Sequence, residues 1–209
     1  MKNLSATTTL TSPTWRFGPL QPYCSLGATE LLQLLQRELL SPKWESQASA
    51  QLKGSKAHEV WPLLADFCNL DKWFPNLHTC YRVQGVSGQP GLVRYCEMKR
   101  DETTLWAKEK LLMIDPINQS ITYEVGDNNL GLKSYVATVP VVPINNNNGC
   151  KIEWSYVCNP IEGSSLEEFQ SFVEYCLQGI AKKMELALVS NNTTSYSMGD
   201  EPCTFFLIF

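Results

Sequence analysis

The chain has 209 residues, 44% of them hydrophobic and 18% charged, with a net charge of −4. That is enough for one ordinary domain with tails. Its lysines and arginines do not cluster, which speaks against nucleic acid as a partner, and no stretch approaches the roughly 20 apolar residues of a membrane span. Eight cysteines form no Cys-x-x-Cys pair and only two histidines are present, so neither a metal site nor a cofactor is expected. Without a secretory signal the thiols read as reduced and the compartment as the cytoplasm.

Residues 1–42 differ from the rest of the chain. The first 14 residues are rich in Ser and Thr, with one basic residue and no acid. They weakly resemble an organelle transit peptide, which keeps plastid import as an alternative. Pro13, Pro19 and Pro22 oppose a stable fold, so this extension is expected to be disordered, with a short amphipathic helix over residues 30–40.

A domain is expected over residues 43–189. Residues 47–53 alternate weakly as a first strand. Ser55 is placed to cap a helix in which Ala57, Val60, Trp61, Leu64 and Ala65 recur at helical spacing. Pro62 predicts a break or kink there. A second short helical piece is expected over residues 70–74, stopped by Pro75. Trp73 and Phe74 in it fill a core or line a pocket.

Six strands are predicted next, over residues 80–86, 91–99, 104–114, 120–126, 133–143 and 149–159. Turn-forming residues such as Gly88, Pro90, Pro116, Asn128 and Gly149 mark the breaks. Connections this short imply an antiparallel meander. A long helix then starts at Ser164 or Ser165, with Glu167 and Glu168 in its first turn. Leu166, Phe169, Phe172, Val173, Cys176, Leu177, Ile180, Ala181, Met184 and Leu188 form its apolar stripe. Lys182 and Lys183 are read as lying near its C-terminal end. Such a helix must lie across the concave face of the sheet. Residues 190–209 are read as a tail.

The hairpin of residues 91–113 stands out. Leu92, Arg94, Cys96 and Met98 share one face of the first strand. Leu105, Ala107, Glu109, Leu111 and Met113 share one face of the second. A two-residue loop at Asp101 and Glu102 makes opposed residues sum to 203, so Arg94 faces Glu109, with Cβ atoms about 4.5–5.5 Å apart. A charged pair on apolar faces is either a structural ion pair in a core or the polar lining of a cavity, since an unpaired buried charge costs several kcal/mol.

The element order resembles the helix-grip superfamily, which holds birch-pollen-allergen-like proteins, START domains, polyketide cyclases and abscisic-acid receptors. Within it, residues 43–188 look most like the plant lachrymatory-factor synthase branch. The segments that carry this are Trp61-Pro-Leu-Leu-Ala-Asp-Phe67, Leu70-Asp-Lys-Trp-Phe-Pro75, Val93-Arg-Tyr95, Trp106-Ala-Lys-Glu-Lys-Leu111, Trp154-Ser-Tyr156 and Ile161-Glu-Gly163. The resemblance implies an α+β fold, with a curved seven-stranded antiparallel sheet wrapped around the long C-terminal helix and two short helices after the first strand. It further implies a cofactor-independent isomerase that rearranges an alkenyl sulfenic acid to a thial S-oxide, with Glu109 as proton relay and Arg94 stabilising the oxyanion. Tyr123 and Tyr135 fall on the branch's cavity tyrosines, Trp154 lies in a carrying segment, and Lys72 falls where hormone receptors carry an acid-binding lysine. The receptors' Ser-Gly-Leu-Pro-Ala gate is missing from the turn after the Arg94 strand, which disfavours hormone reception by that mechanism. The alternative function is a non-catalytic carrier or sensor of a small hydrophobic or sulfur-containing ligand.

Overall fold

The computed structural model describes residues 27–30, 32–33, 36, 42–100, 102–144 and 148–196. The chain divides into two units, Met1–Ser41 and Pro42–Phe209. In the first, residues 28–30, 32–33 and 36 are helical, within or beside the amphipathic stretch expected there. The transit-like segment and the apolar end of the tail lie outside the described residues.

In the second unit the order is β1 (Trp44–Leu52), α1 (Ala57–Ala65), a 3-10 turn (Phe67–Lys72), β2 (Leu77–Gln84), β3 (Val93–Arg100), β4 (Thr103–Asp115), β5 (Ser120–Asn128), β6 (Tyr135–Ile144), β7 (Gly149–Cys158) and α2 (Leu166–Tyr196). The strands form one antiparallel sheet in the order β1-β7-β6-β5-β4-β3-β2. This is the helix-grip architecture. Partner numbers in β3 and β4 sum to 203 throughout, from Val93↔Lys110 to Arg100↔Thr103.

The sheet is curved by irregularities in its pairing. Register shifts occur between β4 and β5, one between Ala107 and Glu109 and another between Leu111 and Met113, and two more interrupt β2 against β3. Each extra residue bends its strand and raises the local twist. One consequence corrects the simple alternation. Leu111 is fully buried, but Met113 is 44% exposed, because the second bulge turns it outward and sets Ile114 opposite the buried Ile121.

Helix α2 begins where a capping box forms. The Glu168 amide donates to Ser165 Oγ, and the Ser165 amide donates to the Glu168 carboxylate, both at 3.2 Å. Val173, Cys176, Leu177, Ile180, Ala181 and Met184 bury the expected stripe, whereas Phe172 falls off it and is exposed. The helix runs on to Tyr196, so residues 190–196 belong to it, and Lys182 and Lys183 lie well before its last turn. Its glutamines also cover the edge of β1. Gln170 donates to the Gln47 carbonyl and Gln178 to the Ser49 carbonyl, each at 3.1 Å. Groups that would otherwise be free to pair with another chain are thereby occupied.

Helix α1 starts one residue later than expected. Lys56 is its N-cap, with its amide bonded to the Glu59 carboxylate at 2.7 Å. Ser55 is buried with its hydroxyl unpartnered. Pro62 sits inside the helix without ending it, at the cost of one i→i−4 hydrogen bond. The loop after the 3-10 turn is held against α2. A Cβ on Gly179 would lie 2.8 Å from the Pro75 ring, so only glycine permits this approach, and Lys183 Nζ donates to the Phe74 carbonyl at 3.3 Å.

Candidate functional site

Arg94 and Glu109 sit opposite each other on the inner faces of β3 and β4. Arg94 Nε donates to Glu109 Oε2 at 2.6 Å, and Nη2 approaches the same oxygen at 2.5 Å. Arg94 is 3% exposed; the Glu109 side chain is 15% exposed. A third contact comes from the 3-10 turn, where the Phe67 carbonyl accepts Nη1 at 2.5 Å. The Phe67 ring also covers the guanidinium, with 3.7 Å from Cζ to the ring centroid, and the Tyr123 ring lies at 5.4 Å. Burial is the largest single effect and works against the arginine's charge, but Glu109, Cys96, Cys80 and Tyr123 together outweigh it and hold the guanidinium above its ordinary value. Arg94 is therefore a permanent buried cation with its donors largely committed.

The carboxylate is used unevenly. Both arginine contacts, and a 4.0 Å approach from Cys96 Sγ, fall on Oε2. Among the described residues, no hydrogen bond is made to Oε1. A carboxylate anchored through one oxygen, with the other open, is held in position yet still able to accept a proton.

Tyr123, Tyr135 and Trp154 come together beside the pair. Tyr135 Oη accepts Trp154 Nε1 at 3.1 Å, and the Tyr123 and Tyr135 rings lie with their centroids 6.2 Å apart. Burial is the main cause that pushes both phenols above their usual range. They are neutral hydroxyls, suited to orienting an oxygen rather than to acting as bases.

A cavity of about 30 Å³ adjoins this cluster, room for a molecule of a few heavy atoms. Arg94 and Tyr123 supply polar wall, while Trp73, Trp154, Ile180 and Met184 supply apolar wall. The indole Nε1 of Trp73 is buried without a hydrogen-bond partner, a donor suited to a ligand's oxygen. Trp73 thus lines the cavity, while Phe74 is buried in the core.

Three expected site residues lie elsewhere. Glu109 is not on the wall; it pairs with Arg94, which is. Tyr135 is buried off the wall and touches it through its hydrogen bond with Trp154 and its ring contact with Tyr123. Lys72 is exposed at the end of the 3-10 turn and is not on the cavity wall. Phe67 is the residue that reading the sequence missed. Its role is carried by a backbone carbonyl and a ring face, which leave no pattern in the chain. Among the described residues, no group of three or more His, Cys, Asp or Glu could hold a metal ion, and no helix is long and apolar enough to cross a membrane.

Residues 43–187 match the family model described as polyketide cyclase / dehydrase and lipid transport. Solved structures with the same fold include the protein XoxI from Bacillus cereus (21% identity, TM-score 0.57, covering 71% of this chain and 97% of that one). Ginseng major latex-like protein 151 from Panax ginseng is similar at 19% identity and a TM-score of 0.55, over 69% of this chain and 97% of that one. A putative uncharacterized protein from Bacillus thuringiensis aligns at 19% identity and a TM-score of 0.54, over 69% and 98%. At these identities the likeness concerns the fold alone.

Proposed function

The chain belongs to the polyketide cyclase / dehydrase and lipid transport family, and on that basis we propose that it rearranges a small alkenyl sulfenic acid to a thial S-oxide. The observation that carries this reading is the buried Arg94–Glu109 pair with one carboxylate oxygen left open. In the reaction, Oε1 of Glu109 takes the proton from the S–OH group. Negative charge develops on that oxygen and is stabilised by the Arg94 guanidinium. The electron pair moves to a carbon–sulfur double bond as the carbon–carbon double bond opens. Glu109 returns its proton to the carbon second from sulfur, so atoms balance within one substrate. The apolar chain lies against Trp154, Ile180 and Met184, and Tyr123 orients the oxygen. Because Arg94 lines the cavity and Glu109 does not, the reading requires a side-chain movement beside Arg94 that brings the S–OH group within reach of Oε1.

The test is to supply a freshly generated alkenyl sulfenic acid and follow thial S-oxide with and without the protein. Formation that Glu109→Gln abolishes, with the fold retained by circular dichroism, is the expected result. No product above the protein-free control overturns the reading.

A second reading has its own support. Glu109 lies off the cavity wall, whereas Arg94 and the unpartnered Trp73 N–H lie on it. A carrier that holds a small apolar molecule by an oxygen-bearing end needs only those donors. Saturable quenching of tryptophan fluorescence without turnover would favour it. Because one fold hosts many functions, the site chemistry decides between the two.

A further inference from the structure

The six described cysteines are all free thiols, and two of them meet. Cys80 of β2 is directly opposite Cys96 of β3, with their sulfurs 3.6 Å apart. We infer that Cys80 and Cys96 form a redox-active dithiol, which a small hydroperoxide converts to a cross-strand disulfide beside Glu109. This site is independent of the isomerase reading.

The geometry favours closure. Directly opposed residues of an antiparallel pair have Cα atoms about 4.5–5.5 Å apart, inside the range of about 4.4–6.8 Å that a disulfide spans. Only a small side-chain rotation separates 3.6 Å from a bonded pair. The two thiols are also unequal in access. β2 is the last strand of the sheet and Cys80 is half-buried there, whereas Cys96 is buried on the inner face. An oxidant from outside therefore meets Cys80 first. The hydrogen bond with Cys96 draws the Cys80 thiol down to about 7, with Arg94 adding to it against the opposing effect of burial. Cys150, Cys158 and Cys176 lie fully inside the core with no such neighbour among the described residues, and burial pushes them up to about 11, 11 and 12. Nucleophilic thiolate is thus concentrated at Cys80.

Atoms and electrons balance in two steps. The Cys80 thiolate attacks the outer oxygen of the hydroperoxide, the O–O bond breaks, and an alcohol (or water, from hydrogen peroxide) leaves, giving a sulfenic acid on Cys80. Cys96 sulfur attacks Cys80 sulfur, the S–O bond breaks and water leaves. Two thiols are oxidised, one peroxide is reduced, and the chain loses two hydrogen atoms. Closure also removes the Cys96 thiol hydrogen from its approach to Oε2 of Glu109.

The test uses the full chain, a few equivalents of hydrogen peroxide, alkylation and tryptic mapping. Cleavage after Lys72, Arg82, Arg94 and Lys99 isolates Cys80 in residues 73–82 and Cys96 in residues 95–99, while Cys68 stays in a third peptide. The expected product joins the first two peptides and is reversed by dithiothreitol. In Cys96→Ser the expected product is a dimedone adduct on Cys80. A bridge to Cys68 or to any other cysteine overturns the inference, as does recovery of both peptides as alkylated thiols, or a Cys96→Ser variant without a Cys80 adduct.

Discussion

The two halves of the sheet turn different chemistry toward the same interior. Around β1, β6, β7 and α2 the buried surface is apolar, as in Ala48, Ala50, Leu52, Val141, Ile152 and Met184, and its thiols are packed away singly. Around β2, β3, β4 and the 3-10 turn it holds a cation, a carboxylate and two touching thiols. The contrast is clearest in the cysteines. Burial alone pushes Cys176 up to about 12, while a thiol partner and a nearby guanidinium bring Cys80 down to about 7. Residue type does not decide reactivity here; the neighbours do. The apolar half supplies rigidity, and the polar half spends part of its stability on groups whose desolvation is only partly repaid.

The division between the halves is tested hardest at Glu109. Glu109→Gln keeps the shape but removes the proton acceptor, and turnover of sulfenic acid should fall by about 10²–10⁴-fold in a product-formation assay. Residual activity within a few-fold of the parent would mean that the pair is structural only. Stability tests the same pair differently. Arg94→Leu leaves a buried carboxylate without its partner and should cost about 3–5 kcal/mol in urea unfolding, whereas Arg94→Leu combined with Glu109→Leu should recover much of that loss. A cost under about 1 kcal/mol for the single change would match a solvated pair instead.

In the apolar half, Leu52→Ala should cost about 2–5 kcal/mol through the cavity it leaves, with the rate per folded molecule unchanged. The thiol contrast predicts a pH profile. Thiolate is the reactive form, so iodoacetamide labelling of Cys80 should rise with pH and be half-maximal near 7, while Cys176 should stay unlabelled in the native protein across the neutral range. Equal labelling of the two would remove the distinction. The smallest effect concerns the start of α2, where Ser165→Ala should cost about 1 kcal/mol by removing a cap, read as a shift in the urea midpoint.

Much of this arrangement was legible in the chain. Alternation places Arg94 and Glu109 on inner faces, and a two-residue loop puts them opposite each other, because strand periodicity and hairpin register are local properties. Less legible were features set by curvature. Met113 continues the inward series on paper but faces out, because a bulge inserts one residue before it. Lys72 matches a receptor position by alignment, yet the end of the 3-10 turn leaves it in solvent. Pro62 signals a break or a kink by its chemistry, but the helix continues through it, with Val60 and Leu64 buried on either side.

Spacings of a few residues therefore dictated which side chains face inward and which of them pair across the β3–β4 hairpin. Packing in three dimensions was needed to bring the Phe67 carbonyl and ring over Arg94, to put Arg94 but not Glu109 on the cavity wall, and to bring Cys80 up to Cys96 at the sheet's last strand. Those outcomes depend on bulges and on contacts between distant segments, whose energies are sums over many atoms rather than a repeat in the chain.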